Sequence, residues 1–317
     1  MHGTKIQNLL KQKVGIDMKR RFATILFVFC ALLGCSRDNY PAEPDWDRIN
    51  PDPEPVETGN RVVAHRGGSA EAGVPDNSIA ALKYAISLGC YGSECDVYWT
   101  SDGRIVVAHA DGQSRINGLV TYEHTLAEIR AAGKLSNGED IPTLEEYLDI
   151  AMESNTRLVI DIKRIDNEGG TSYVVKCAEK VCDLVKEKNA SEYVILLCTG
   201  YNQSVMTQAW ALAKKAGLEM AMNSGRSAYE YTALGFKWAN LSAATQMGAG
   251  TAESDALLKS YLDAGIGVSV YNIDKRSGDG NAVYSGSGVQ WYINHRDSFR
   301  MLCSNYPKWL LEKIKES

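Results

Sequence analysis

No two of the eight cysteines in this 317-residue chain stand at CxxC spacing, and none joins a histidine cluster, so the ligand pattern of a zinc site is missing. Positive charge is also in short supply. With 34 Lys and Arg against 39 Asp and Glu, the net charge is −5, which disfavours binding to nucleic acid or polybasic contact with a membrane. Long hydrophobic runs are absent too: the stretch from Phe22 to Leu33 falls short of the about 20 residues that cross a bilayer. Proline is nearly confined to one place, with five of eight (Pro41, Pro44, Pro51, Pro53 and Pro55) inside residues 36–60.

The short apolar run has the plan of a secretory leader, with Met18 Lys19 Arg20 Arg21 before it and Leu32 Leu33 Gly34 Cys35 closing it. That ending resembles a bacterial lipobox, in which cleavage precedes the cysteine and the cysteine receives lipid. Cys35 is therefore the expected lipidation site, and the expected location is the bacterial cell envelope, lipid-anchored at the periplasm or outer membrane. Residues 1–17 are polar and lie upstream of a better start at Met18. A buried helix that ends by chance in Gly34 Cys35 is the competing reading. Residues 36–60 hold seven Asp and Glu against two Arg, and with their prolines they read as an extended tether. Cys90, Cys95, Cys177, Cys182, Cys198 and Cys303 remain for the body, where apolar surroundings suit buried thiols and an envelope location permits disulfides.

From Arg61 to Ser317, short β-rich runs alternate with helical ones. Strands are predicted at 62–64, 92–97, 105–109, 158–162, 193–198, 218–222, 238–241, 267–271 and 289–293. Helices are predicted at 78–88, 144–153, 172–186, 204–215 and 253–264. Such alternation argues for a parallel sheet with right-handed crossovers. About eight repeats in 257 residues fit a (β/α)8 TIM barrel, with a doubly wound open sheet as the alternative. Asp76 and Asn77 are placed to cap the helix from Ser78, and Thr143 with Glu146 forms a capping box.

Chemistry-bearing residues recur at the ends of the first four predicted strands. His65 follows the first, Glu94 and Asp96 share a face of the second, His109 ends the third, and Asp161 and Lys163 share a face of the fourth. Each has a plain reading: a hydrogen-bonded structural histidine, an exposed strand face, a strand-end ion pair. Their recurrence where a barrel opens favours a site. Glu94, Asp96 and Asp161 offer hard oxygen donors suited to Ca2+ or Mg2+. Arg66 and Lys163 suit the oxygens of a phosphodiester, and His65 and His109 suit general acid–base work near neutral pH. His124 reads as a loop or helix-start residue, His295 as a strand-end residue and 134–140 as a polar turn. Tyr271 walls the pocket or packs, and for Trp99 and Trp291 packing is favoured.

His65 Arg66 Gly67 Gly68, Pro75 Asp76 Asn77 Ser78, Glu94 Cys95 Asp96 Val97, Thr100 Ser101 Asp102 Gly103 and Val106 Val107 Ala108 His109 together resemble the glycerophosphodiester phosphodiesterases, which are similar to phosphatidylinositol-specific phospholipases in their barrel. The similarity continues through Arg115 Ile116 Asn117 Gly118 and Asp161 Ile162 Lys163, and weakly through Val270 to Asp274. It implies a metal-dependent TIM-barrel enzyme that releases sn-glycerol 3-phosphate and an alcohol from deacylated phospholipids. By position it implies His65 and His109 as acid and base, Glu94, Asp96 and Asp161 as metal ligands, and Arg66 and Lys163 on the phosphate. It also implies attack by the glycerol 2-hydroxyl to give a cyclic phosphate that water then opens.

The implied partners are the small glycerophosphodiester substrate and, through the anchor alone, a membrane. Departures are Asp76 and Asp161 where the family usually has Glu, Ala110 where it has Asp, and 293–296 in place of a Thr, Asp and Pro pattern. Asp161, one methylene shorter than Glu, implies a metal nearer that strand or a bridging water. Two alternatives stand beside this reading: a phospholipase acting on phosphatidylinositol or a lysolipid through an apolar rim, and a non-catalytic lipoprotein that binds phosphate esters.

Overall fold

Eleven strands are described, β1 (Val62–Ala64), β2 (Gly92–Trp99), β3 (Ile105–Val107), β4 (Arg115–Ile116), β5 (Leu119–Val120), β6 (Arg157–Ile162), β7 (Val194–Thr199), β8 (Glu219–Asn223), β9 (Trp238–Ser242), β10 (Gly267–Tyr271) and β11 (Met301–Ser304), and the eight other than β3, β4 and β5 pair in parallel and close into a barrel. Closure comes from β1, which pairs with both β11 and β2. The computed structural model describes residues 59–163, 165, 170–199, 202–274 and 286–317. The leader, Cys35 and the tether up to residue 58 lie outside them.

Alternation along the strands divides the apolar residues between two regions. Inside the barrel, Val63, Val159, Ile195, Leu197, Ala221, Trp238, Met301 and Cys303 form one cluster. A larger cluster fills the layer between sheet and helices, with Leu82, Leu148, Ile160, Val181, Leu196 and Leu310 among its members. The six described cysteines are buried free thiols. Burial pushes Cys90, Cys177, Cys182 and Cys198 up to about 12, so these thiols are packing groups rather than nucleophiles.

Three local expectations are corrected. The run from Ile105 is β3 (Ile105–Val107), antiparallel to β2, so it is not a barrel strand and His109 stands beyond it. Only Thr100 to Arg104 separate the two, far too few for a parallel crossover but enough for a turn with Gly103 at φ 83°. The run Val289–Ile293 lies in a helix, Gly286–Asn294, where Val289, Tyr292 and Ile293 are buried at i, i+3 and i+4. His295 therefore follows a helix, and the strand end expected at 293–296 is instead supplied by Ser304 and the Asn305 Tyr306 Pro307 that follow it. Finally, Ser78 caps the helix Ile79–Ser87, its hydroxyl accepting from the Ala81 N–H at 3.1 Å, in place of Asp76 or Asn77. The Thr143–Glu146 capping box is present as expected.

The turn after β1 needs its glycines. Gly67 has φ 78°, and a Cβ there would lie 2.5 Å from the Ala81 carbonyl carbon; one on Gly68 would meet the Pro307 ring at 2.7 Å. The turn thus packs against two helices while it presents His65 and Arg66. Gly67→Ala is expected to cost about 1–3 kcal/mol through this backbone clash, read as a lower denaturation midpoint.

Candidate active site

Inward-facing positions recur every two residues, so those just above the apolar floor open into the mouth. Val63 leads to His65, Val159 to Asp161 and then Lys163, Leu197 to Thr199, Ala221 to Asn223, and Trp238 to Asn240. All but Ala221 and Trp238 line one cavity of about 270 Å3, together with Arg66, Glu94, Tyr271, Asn272, Met301 and Cys303. One side is charged; the other, from Thr199 round to Asn272, is neutral and hydrogen-bonding.

Glu94, Asp96 and Asp161 are buried, and each offers an oxygen within 4.8 Å of the others'. Strand register puts Asp96 directly opposite Asp161, a like-charge pairing that needs a counterion. Lys163 supplies it, with Nζ 3.0 Å from Asp96 Oδ1 and 3.0 Å from Asp161 Oδ2. Burial opposes the Lys163 charge, but Asp161, Asp96 and Glu94 outweigh it and raise the ammonium pKa. Asp96 is lowered in the same manner: burial works against ionisation, and Lys163, Arg66 and an Asn77 hydrogen bond overcome it. Glu94 goes the other way. Burial, then the charges of Asp96 and Asp161, push its carboxyl well above the usual range.

Arg66 holds the entrance in a left-handed conformation at φ 49°. Its backbone N–H donates to Glu94 Oε2 at 2.8 Å, its Nε lies 3.2 Å from Asp96 Oδ2, and Nη1 donates to Asp76 Oδ2 at 2.7 Å. Asp76 also accepts from the Ser69 hydroxyl, so the shorter acid still reaches the arginine. Asp161 likewise joins the triad despite its short arm, with Thr199 Oγ1 donating to its Oδ1 at 3.3 Å.

His65 Nδ1 lies 2.7 Å from Asn305 Oδ1, and Nε2 stands 3.8 Å from Glu94 Oε2. Burial and then the Arg66 charge lower its pKa below the ordinary 6.5. His109 is exposed and lies outside the cavity lining; the residue before it is tied to β2, the Ala108 N–H donating to the Asp96 carbonyl at 3.0 Å. Partial burial, with Arg66 and Lys163 against the pull of Asp96, lowers it as well. Asp111 does not stand in for an acid at Ala110: its Oδ1 accepts from the Gln113 and Arg115 N–H groups, both at 2.9 Å, and so closes its own turn.

Of the expected site residues, then, His65, Arg66, Glu94, Asp161 and Lys163 line the cavity, Asp96 lies buried against them, and His109 is exposed and outside the lining, near enough for the charges of Asp96, Arg66 and Lys163 to act on it. Trp99 and Trp291 pack, Trp99 beside Tyr173 and Trp291 against Tyr292 and Phe299; Tyr271 lines the cavity. His124 bonds the Val120 carbonyl in a loop and His295 the Trp291 carbonyl, both away from the cavity lining. Sequence reasoning missed Asn77, whose amide donates to Asp96 Oδ2 at 2.9 Å and accepts from the Asp96 N–H at 3.0 Å. It also missed the polar arc of Thr199, Asn223 and Asn240, each two residues beyond an inward apolar one, and Asn305 beside His65.

Fold and site together define the class: a TIM-barrel protein of enzyme type, with carboxylates, cations and imidazoles gathered where the strands end. The chain belongs to the glycerophosphoryl diester phosphodiesterase family, whose model matches residues 65–302. It is 37% identical over 144 residues to a glycerophosphodiester phosphodiesterase of Caldanaerobacter subterraneus, covering 43% of this chain and 56% of that one. It is 34% identical over 112 residues to glycerophosphodiester phosphodiesterase 1 of Mus musculus, covering 32% of this chain and 33% of that one. The matches thus span about half and a third of those relatives' lengths. Among solved structures, a glycerophosphodiester phosphodiesterase from Parabacteroides distasonis shares the fold with a TM-score of 0.65 at 24% identity, over 81% of this chain and 97% of that one. A phosphodiesterase from Oleispira antarctica, in complex with the product sn-glycerol-3-phosphate, shares it with a TM-score of 0.60 at 19% identity, over 81% and 97%.

Proposed function

We propose that this protein hydrolyses glycerophosphodiesters to sn-glycerol 3-phosphate and an alcohol, with Ca2+ or Mg2+ held by Glu94, Asp96 and Asp161. The observation that carries this reading is the meeting, in one cavity, of the acidic triad with His65, Arg66 and Lys163. Family membership and the product complex of the Oleispira relative support the substrate class. The donor set fits a hard cation: three buried carboxylates within 4.8 Å, with Glu94 disfavoured as an anion until more positive charge arrives. When bound, the cation supplies Lewis-acid neutralisation of the phosphoryl oxygens.

The chain's own groups do the rest. Arg66 and Lys163 orient the phosphodiester anion. His65 Nε2 takes the proton of the glycerol 2-hydroxyl as that oxygen bonds to phosphorus; the bond to the leaving oxygen breaks, and His109 gives that oxygen its proton. Water then opens the cyclic phosphate, with the two imidazoles exchanging roles. A base whose pKa is lowered stays neutral to lower pH, so the acid limb of kcat/KM is expected below the ordinary histidine value of 6.5, activity falling as pH drops through it. A pH–rate profile with a saturating cation checks this.

The test is a panel of glycerophosphocholine, glycerophosphoethanolamine and glycerophosphoinositol beside phosphatidylinositol and lysolipid micelles. Release of sn-glycerol 3-phosphate from the first three is expected; turnover confined to the micelles points to the phospholipase, and binding without turnover to the non-catalytic lipoprotein. In this reading the body is tethered to the bacterial envelope through lipid on Cys35. Mass spectrometry of the mature N-terminus is expected to find a lipidated Cys35, and an unmodified one contradicts the anchor.

A further inference from the structure

We infer that Asn305 and Asp274 are positioning residues that hold the His65 ring with its proton on Nδ1, so that the bare Nε2 faces the cavity. Neighbouring strands deliver the three groups: Asp274 follows β10, Asn305 follows β11 and His65 follows β1. Asp274 is buried, and its oxygens accept from the Asn305 backbone N–H at 2.8 Å (Oδ1) and from Asn305 Nδ2 at 2.7 Å (Oδ2), with the Ser304 hydroxyl at 3.4 Å from Oδ1.

A carboxylate only accepts, so the amide NH2 of Asn305 must face Asp274 and its carbonyl oxygen must face the imidazole. Flipping the amide would set two oxygens against each other at hydrogen-bond distance and turn an NH2 onto Nδ1. A carbonyl oxygen also only accepts, and at 2.7 Å from Nδ1 it requires Nδ1 to donate. The choice of ring nitrogen is therefore made two hydrogen bonds away, by Asp274. Nε2, 3.8 Å from Glu94 Oε2, keeps its lone pair for the proton that leaves the nucleophile.

This rests on the reading of His65 as the base, and the experiment separates the two. Full-length protein carrying 15N-histidine, with the His65 signals assigned by their loss in His65→Ala, gives the tautomer directly from the Nδ1 and Nε2 shifts. Kinetics on glycerophosphocholine with saturating cation are run in parallel. The wild type is expected as the Nδ1–H form. Asn305→Leu is expected to mix the tautomers and lower kcat about 10- to 100-fold with KM within about two-fold. The exchange Asn305→Asp with Asp274→Asn rebuilds the same bonds with donor and acceptor swapped, and it is expected to restore both the tautomer and kcat. An Nε2–H form in the wild type overturns the inference, as does an Asn305→Leu enzyme with undiminished kcat while His65→Ala is inactive. Full activity in His65→Ala instead overturns the catalytic reading, and the wild-type shifts still decide the tautomer.

Discussion

His65→Ala is expected to lower kcat on a glycerophosphodiester by about 10²–10⁴-fold, the range for losing a positioned general base. The ring is half-buried, its pKa lowered by burial and the Arg66 charge, and it is set between Asn305 on one nitrogen and the Glu94 side of the cavity on the other. Few alternatives stand nearby: Lys163 is held as an ammonium by Asp161 and Asp96, and Glu94 is engaged by the Arg66 N–H. KM is expected to change far less than kcat, because Arg66 and Lys163 remain to hold the phosphate. Because a misfolded variant also loses apparent kcat at unchanged KM, through fewer active sites, circular dichroism and a thermal melt of His65→Ala beside the wild type are what distinguish the two.

Glu94→Gln is expected to remove cation-dependent turnover while leaving the cation-free protein at least as stable as the wild type. The three buried carboxylates share Lys163 and Arg66, and burial together with Asp96 and Asp161 pushes Glu94 toward its neutral form. A neutral Gln removes the cost of ionising that buried group and an anionic ligand at once, the trade between stability and function common to active sites. Ligand linkage makes the contrast measurable. A cation at a hundred times its Kd stabilises the folded wild type by about 2.7 kcal/mol, and Glu94→Gln is expected to lose most of that rise in Tm. An equal Tm rise in the two proteins would place the cation elsewhere.

Strand alternation made much of this readable beforehand. Glu94 and Asp96, and Asp161 and Lys163, are two residues apart, and that spacing on a strand sends both members to one face; the structure brings the four into one cluster. The same rule, applied to Asn223 and Asn240, would have found the neutral wall, but a lone asparagine at a strand end carries no signal of its own. The apolar run before His109 looks like a barrel strand; in the structure β2 extends to Trp99, and the five residues left before β3 allow only an antiparallel turn. Val289 to Ile293 shows the ambiguity of a short apolar run, which fits strand and helix periods equally until its length and partners are known. Asn77 and Asn305 are out of reach for another reason: their partners, Asp96 and His65, lie 19 and 240 residues away, the first met by packing of the β1–β2 unit and the second by closure of the barrel.

The most direct test is release of sn-glycerol 3-phosphate from glycerophosphocholine by the purified protein, followed first with Ca2+ or Mg2+, then after a chelator, then after the cation is restored. The account predicts release that stops with the chelator and resumes with the cation. Release that persists undiminished in excess chelator, or no release from this or any other glycerophosphodiester with either cation present, would contradict it.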